Sequence, residues 1–411
     1  MTSDVETPIQ PRSGVRGLPG TFWWLWFGLL VNRAGGFIAL LLAFYLSARL
    51  HYSATLVGLV LGTLGLGGVI GVLVGGRLAD SWGRRATIVA ANLSAGAALL
   101  TLGSARAVWQ ILVIVLVLGV VQNMQHPAYS AMLIDILPKE DRVRGFSLNY
   151  WALNLAITCS AALGGLLAGF DFHLLFVIDG CTSLAMAVIV LLRVPETLHR
   201  ESPGGSGGAE RPRAPGPLRD SAFLSLVVTA TLCGLLFAQY TSTLPLVMQR
   251  SGFPPSAYGI VAALNGLLIV AGQLLVPRLL RQRDPSRVLA LAAAIIGLGF
   301  WLNAWAFDLW SYSLSVVVWT FGEMLYSPSA ASLSAELSPV TARGRYQAAM
   351  GLSWSLGGLL APLTGGLVLD RLGAGTLWSC CLLIGLCASS LNLLTVRLRR
   401  ERIAVLAREA A

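Results

Sequence analysis

Long apolar runs alternate with short polar breaks along almost the whole chain. Each run is long enough to cross a bilayer as a helix, which takes about 20 residues. Twelve runs are read, at roughly 22–49, 54–80, 86–104, 107–137, 145–170, 173–193, 221–248, 256–281, 286–306, 310–337, 345–371 and 375–397. The longer ones exceed the hydrocarbon thickness and are expected to tilt or to project into water. One break is unlike the others. Residues 196–220, ETLHRESPGGSGGAERPRAPGPLRD, are dominated by Gly, Pro, Ser and charge and read as a flexible tether. The tether divides an all-α membrane protein into an N-terminal six-helix unit (1–195) and a C-terminal one (221–411) with a basic tail. Six spans is an even number, so both units enter the membrane in the same direction. They are expected to be parallel repeats related by an axis along the membrane normal.

The chain repeats itself across the tether. Gln122–Gly165 and Glu323–Gly366 align without a gap at an offset of 201 residues. Pro127 matches Pro328, Asp135 matches Glu336 and Pro138 matches Pro339. Arg142, Arg144, Gly164 and Gly165 meet identical residues at 343, 345, 365 and 366. One period near half the chain length points to two related halves rather than a solenoid of many repeats.

Composition agrees with the pattern. Of 411 residues, 55% are apolar and 12% charged, too little charge to cover a soluble protein of this size. The net charge of +10 does not read as a nucleic-acid footprint, because the basic residues lie between apolar runs. It reads as orientation. With the N-terminus in the cytoplasm, only Arg49, Arg106, Arg250 and Arg371 fall outside, Arg33 lies within a span, and 24 of the 29 basic residues stay on the cytoplasmic side. Both termini are therefore expected inside, and Trp23, Trp24 and Trp26 at the cytoplasmic interface. The first 20 residues are polar, and the run after them is too long for a signal-peptide core. Six cysteines, none in CxxC spacing, read as small buried residues rather than disulfides or a metal site.

Between the second and third runs stands GGRLADSWGRR, Gly75–Arg85. It resembles the G-x-L-x-D-R-x-G-R-R signature of the major facilitator superfamily at Gly76, Leu78, Asp80, Gly83, Arg84 and Arg85, with Ser81 in place of the usual basic residue. A second copy near Gly272–Arg287 is much weaker. The resemblance covers the whole chain and implies a twelve-span secondary transporter with a cavity lined by spans 1, 4, 7 and 10. It also implies a cytoplasmic latch between the halves, formed by Gly76, Asp80, Gly83, Arg84, Arg85 and Asp135. Arg84 is expected to pair with Asp135, and Asp80 to face a helix N-terminus of the other half, where a carboxylate is favoured. The fifth run lacks the Gly-Pro bend of proton-coupled drug antiporters in this superfamily; Gly357, Ala361, Pro362, Gly365 and Gly366 of the eleventh come nearer to it.

Charge at bilayer depth needs a reason. The strongest polar residues concentrate on the four expected cavity helices: Asn32 and Arg33 in run 1, Gln122, Asn123, Gln125 and His126 in run 4, Gln239 and Tyr240 in run 7, Glu323 in run 10. Arg33 with the run-4 cluster is expected to form one wall, and Glu323 with Gln239 and Tyr240 the other. Glu323 or Asp179 is the expected proton carrier, since a carboxylate in a dry cavity can exchange protons near neutral pH. The structural alternative is that both acids are satisfied by neighbouring hydroxyls and amides. Pro127, Pro245, Pro328 and Pro362 are expected to mark kinks.

No G-x-x-x-x-G-K-[ST] loop exists, the only lysine being Lys139, and HExxH does not occur. The reading is a monomeric transporter in the inner (cytoplasmic) membrane, not an enzyme, with no cofactor, no metal and no nucleic-acid partner. Its task would be proton-coupled efflux of small lipophilic or cationic molecules. Uptake or exchange of a small metabolite, its negative charge held by Arg33, is the alternative.

Overall fold

The computed structural model of the chain describes residues 17–138, 141–198, 216–217, 219–272, 283–339 and 342–410. The interior of the tether, the far end of run 8 and much of the weak second loop copy lie outside the described residues, as does Lys139.

All regular structure among the described residues is helical. Span 1 is Gly20–Ala34 followed by Ile38–Ala48, span 2 Ala54–Ser81, span 3 Arg84–Leu102, span 4 Val108–Ile136, span 5 Arg142–Ala168 and span 6 Phe172–Arg193. Span 7 is Ser221–Ser242 followed by Leu244–Arg250, span 8 Pro255–Gly272, span 9 Pro285–Leu302 and span 10 Leu309–Glu336. The helix Arg343–Leu394 breaks at Gly373 (φ 83°, ψ 171°) into spans 11 and 12, and Val396–Ala410 forms a tail helix. Ten helical segments among the described residues have the length and apolarity to cross a membrane. The break at Gly373 makes two of one of them, and the more polar span 10 completes twelve.

The chain turns back at Gly373. Tyr346, near the start of span 11, bonds Asp220 at 3.1 Å, and Arg402, beyond span 12, bonds the same carboxylate at 2.8 Å. Both ends of that helical pair therefore lie on one face, called here the terminal face. The opposite face is the far face.

The repeat extends well past the segment first seen in the sequence. Spans 1 to 5 begin at Gly20, Ala54, Arg84, Val108 and Arg142, and each start lies 201 residues before those of spans 7 to 11: Ser221, Pro255, Pro285, Leu309 and Arg343. Pro127 and Pro328 fall inside their helices at matching places; Pro362 also lies inside span 11, but its counterpart in span 5 is Ala161.

Two spans are broken. Gly35 and Gly36 interrupt span 1, and span 6 packs tightly on the break: a Cβ on Gly35 would lie 2.6 Å from Thr182. Span 7 breaks at Thr243, just before Pro245, whose missing N–H cannot continue the ladder. The expected Pro245 kink thus coincides with an interruption of the helix.

Spans 1–6 pack on one another, as do spans 7–12, and the two sets meet chiefly through spans 2 with 11 and 5 with 8. Small residues make the closeness possible. On span 2, Gly67, Gly71 and Gly75 run against the backbone of span 4, whereas Gly58, Gly62 and Gly65 run against span 11. Gly165 and Gly259 bring spans 5 and 8 together in the same way. Toward the terminal face the sets part: Gly76 and Gly351 have open space beside them and Asp80 is exposed. The outward surface is largely apolar, with Leu73, Leu192, Phe170 and Trp310 uncovered, as a surface bathed in hydrocarbon requires. Cys181 and Cys387 lie on that surface, so the cysteines are not uniformly buried; all six are free.

Candidate functional site

A cavity of about 530 Å³ lies between the two helix sets. The first set contributes Asn32, Arg33, Gln122, Gln125, His126, Asn154 and Asp179 among its lining residues, and the second contributes Tyr240, Thr241 and Glu323. A smaller neighbouring cavity of about 330 Å³ shares Ala39, Gln122 and Thr241 and adds Asn123, Ser242, Ser355 and Trp354. Gln122 and Glu323 stand one repeat apart, so the two sets offer the cavity an amide and a carboxylate from equivalent places.

Several of the polar side chains meet a partner on a neighbouring helix, whereas Asn123 and Asn154 bond carbonyls of their own helices. Arg33 Nη2 lies 3.2 Å from His126 Nε2, and Arg33 Nε is buried with no partner among the described residues. Asn32 donates to Ser183 Oγ at 3.1 Å. Asn92, on span 3, donates to Gln125 at 2.9 Å. Tyr129 donates to Asn149 Oδ1 at 2.9 Å. On the other wall Asn265 of span 8 donates to Glu323 Oε2 at 2.9 Å and to Thr320 at 3.0 Å. The Tyr240 hydroxyl reaches the carbonyl of Ala262, and its ring packs on Tyr258 and Trp319.

Asp179 has a structural duty as well as a place in the cavity wall. The break in span 1 frees the first N–H groups of the Ile38 helix, and Asp179 Oδ2 accepts from Ile38 N at 3.2 Å. A carboxylate at a helix N-terminus is favourably placed.

Two expectations need correction. Gln239 does not line either cavity: it is buried against span 11, accepts from Thr243 Oγ1 at 2.6 Å and donates to the carbonyl of Ala361 at 3.4 Å. Its amide is satisfied there, so nothing draws it toward the cavity. The Arg84–Asp135 pair forms, at 3.0 Å, but inside the first set. Thr197, just after span 6, joins it by donating to Asp135 at 2.8 Å. The pair ties spans 3, 4 and 6 together and does not bridge the halves.

The loop carrying that pair is built around Gly83, whose φ of 111° and ψ of 156° suit glycine alone. Glu196 caps span 3 from outside it, accepting from Arg84 N at 2.9 Å and Arg85 N at 3.1 Å, and a Cβ on Gly83 would lie 2.3 Å from Glu196 Oε2. Burial pushes the Glu196 carboxyl up, but N–H groups of Leu198, Arg84, Thr197 and Ala86 outweigh it and hold it below the ordinary glutamate range. Asp80 has no hydrogen bond or ion pair among the described residues.

Asn92, Asn265 and Glu196 escaped the sequence reading. The first two are lone amides in apolar runs, a signal that could have been weighed. Glu196 stands at the edge of the tether and gives no such signal.

Among the described residues, twelve spanning helices and a polar, two-walled cavity between their two sets define a multi-pass membrane protein of the solute-carrying kind. The model of the Major Facilitator Superfamily matches residues 25–362, and the chain belongs to that superfamily. Its members are transporters, not enzymes, and so is this chain. A "Na(+), Li(+), K(+)/H(+) antiporter" of Planococcus maritimus is 25% identical over 327 residues, covering 71% of this chain and 76% of that one. The "Multidrug resistance protein MdtH" of Cronobacter sakazakii (strain ATCC BAA-894) is 25% identical over 338 residues, 78% of this chain and 79% of that one. Among solved structures, a peptide transporter POT in complex with alafosfalin superposes with a TM-score of 0.77 at 16% identity, over 94% of this chain and 97% of that one, which speaks for the fold alone.

Proposed function

We propose that this transporter exports small lipophilic or cationic organic molecules across the cytoplasmic membrane in exchange for protons, with both termini in the cytoplasm. The observation that carries the reading is the pair of carboxylates in one cavity: Asp179 from the first helix set and Glu323 from the second. Tyr150, Tyr240, Leu40, Leu153 and Ile157 supply apolar surface between them. The antiporter and the multidrug protein among its distant relatives support the same direction.

The mechanism follows from the geometry. Glu323, held by Asn265, is a site for either a proton or a cationic cargo, and the two compete. Proton binding at Asp179 removes a charge from the start of the Ile38 helix, which loosens the joint in span 1. The two sets then rock about the cavity, exposing it to each side in turn. Gly76, Asp80, Gly83, Arg84, Arg85 and Asp135 form the gating region at the cytoplasmic end in this reading.

The test is uptake into proteoliposomes under an imposed pH gradient, with ethidium and tetraphenylphosphonium as probes. Gradient-driven movement should fall by about tenfold or more in a Glu323→Gln, Asp179→Asn double variant, since intramembrane acids carry function. Undiminished movement would sink the coupling scheme. One observation favours a second reading, exchange of small anions: Arg33 faces the cavity without an ion pair among the described residues. Arg33→Gln separates the two, abolishing anion movement but sparing that of the cations.

A further inference from the structure

We infer that Asp370 is the far-face gate of the transport cycle, a carboxylate of one helix set that caps a helix of the other only while that face is closed. The inference rests on the alternating-access reading but not on the cargo or the coupling ion.

Asp370 lies near the far-face end of span 11. Its Oδ1 accepts from Ala54 N at 3.2 Å, and its Oδ2 accepts from Thr55 N at 2.6 Å and from the Thr55 hydroxyl at 2.7 Å. Ala54 and Thr55 open span 2, so their N–H groups have no partner within that helix. Ser53 serves only the next donor, Leu56 N, at 3.2 Å. Arg250, at the end of span 7, pairs with the same carboxylate and keeps a cation beside it. Arg371 is its exposed chain neighbour.

Two other far-face helix starts are capped locally. Asp171 caps span 6 and Asp308 caps span 10, each the residue immediately before its own helix. A local cap is permanent. A cap supplied from more than 300 residues away, by the opposite helix set, exists only when the two sets are together there.

The helix face leading to Asp370 is built for that closure. Gly358, Pro362, Gly366 and Asp370 recur every fourth residue along one side of span 11. They meet span 2 in order: the Gly358 carbonyl lies beside Gly65, the Pro362 carbonyl beside Gly58, and Gly366 beside the carbonyl of Ala54. Added Cβ atoms at Gly58 and Gly366 would lie 2.2 Å from those carbonyl oxygens. The two helices run antiparallel, so Asp80, ending span 2, stands at the opposite face near the start of span 11. There the sets have parted and Asp80 is exposed. One helix pair thus carries a carboxylate at each end, and in this state the far-face one is engaged.

The experiment measures the far-face separation directly, on the full chain in lipid nanodiscs. Spin labels go on Ser104→Cys and Ser251→Cys, two exposed far-face positions on different sets, in a background lacking the six native cysteines. Asp370→Ala should raise the ratio of far-face-open to far-face-closed molecules by about tenfold, the worth of a hydrogen bond to a charged group. Asp370→Asn, which keeps an acceptor oxygen, should give a smaller rise, and Thr364→Ala, which alters a hydroxyl bonded only within its own helix, none. If Asp370→Ala does not fold, the Thr55→Val, Arg250→Gln pair is measured in its place and should shift the ratio the same way. A distance distribution identical to the parent's in whichever variant folds overturns the gate. Because no cargo or proton gradient is used, this outcome is independent of the efflux assay.

Discussion

Gly83 shows how much a single residue can carry. Its backbone lies in a region that only glycine adopts without strain, and Glu196 occupies the space where a side chain would go. Gly83→Ala should lower stability by about 1–3 kcal/mol, whereas Gly20→Ala, with open space and a helical backbone, should stay within about 0.5 kcal/mol. Thermal unfolding in detergent distinguishes them. Glu196 adds a pH dependence. Its folded value lies below the ordinary one, so its contribution is present above the ordinary glutamate range and is lost as pH falls through the depressed folded value. Glu196→Gln should therefore unfold at a lower temperature than the parent at neutral pH, with the gap closing on acidification. A gap that stays constant with pH would rule out the carboxylate as the cause.

At the scale of elements, the tail helix is a staple. Arg399 is buried, donating to Ser225 at 2.9 Å and to Asn392 at 2.8 Å. Arg400 and Arg402 bond Asp284 and Asp220, the N-caps of spans 9 and 7. One short helix thereby ties spans 7, 9 and 12 together. Arg399→Ala should cost about 1–3 kcal/mol, because it strands buried partners, while exposed Arg408→Ala should be nearly silent. Equal melting temperatures for the two variants would show that the tail is only a passenger. The first set does the corresponding job differently: Glu196, just after span 6, caps span 3. The ends of the two sixth spans are thus fastened by opposite charges.

For the whole molecule, the contacts joining the two sets decide which face is open. Among them are backbone-to-backbone approaches at the far-face ends of spans 2 and 11, which leave no room for a side chain at Gly58 or Gly366. Gly58→Val should hold the far face apart without unfolding either set. Transport should then fall by about tenfold or more, since overpacking at a tight contact costs ~1–3 kcal/mol or more, while the unfolding temperature changes little. Cysteine labelling of Thr241→Cys from the far side should rise in the same variant.

The bounds of the spans among the described residues and the two-fold repeat were legible in the sequence. They rest on local properties: apolar length, breaker residues and a period that survives alignment. The places of Arg33, Asp179 and Glu323 along their helices were legible for the same reason. Direction around the helix axis was not. Twelve helices that are apolar on nearly every side leave no polar stripe to say which side faces inward. Gln239 thus turned to span 11, where Thr243 and Ala361 satisfy its amide, and Asn265 came from an unremarked run to hold Glu323. Nothing in the sequence singled out Asp370, and only the meeting of spans 2 and 11 made it a cap. Partners hundreds of residues apart are chosen by packing, and packing belongs to the assembled helices.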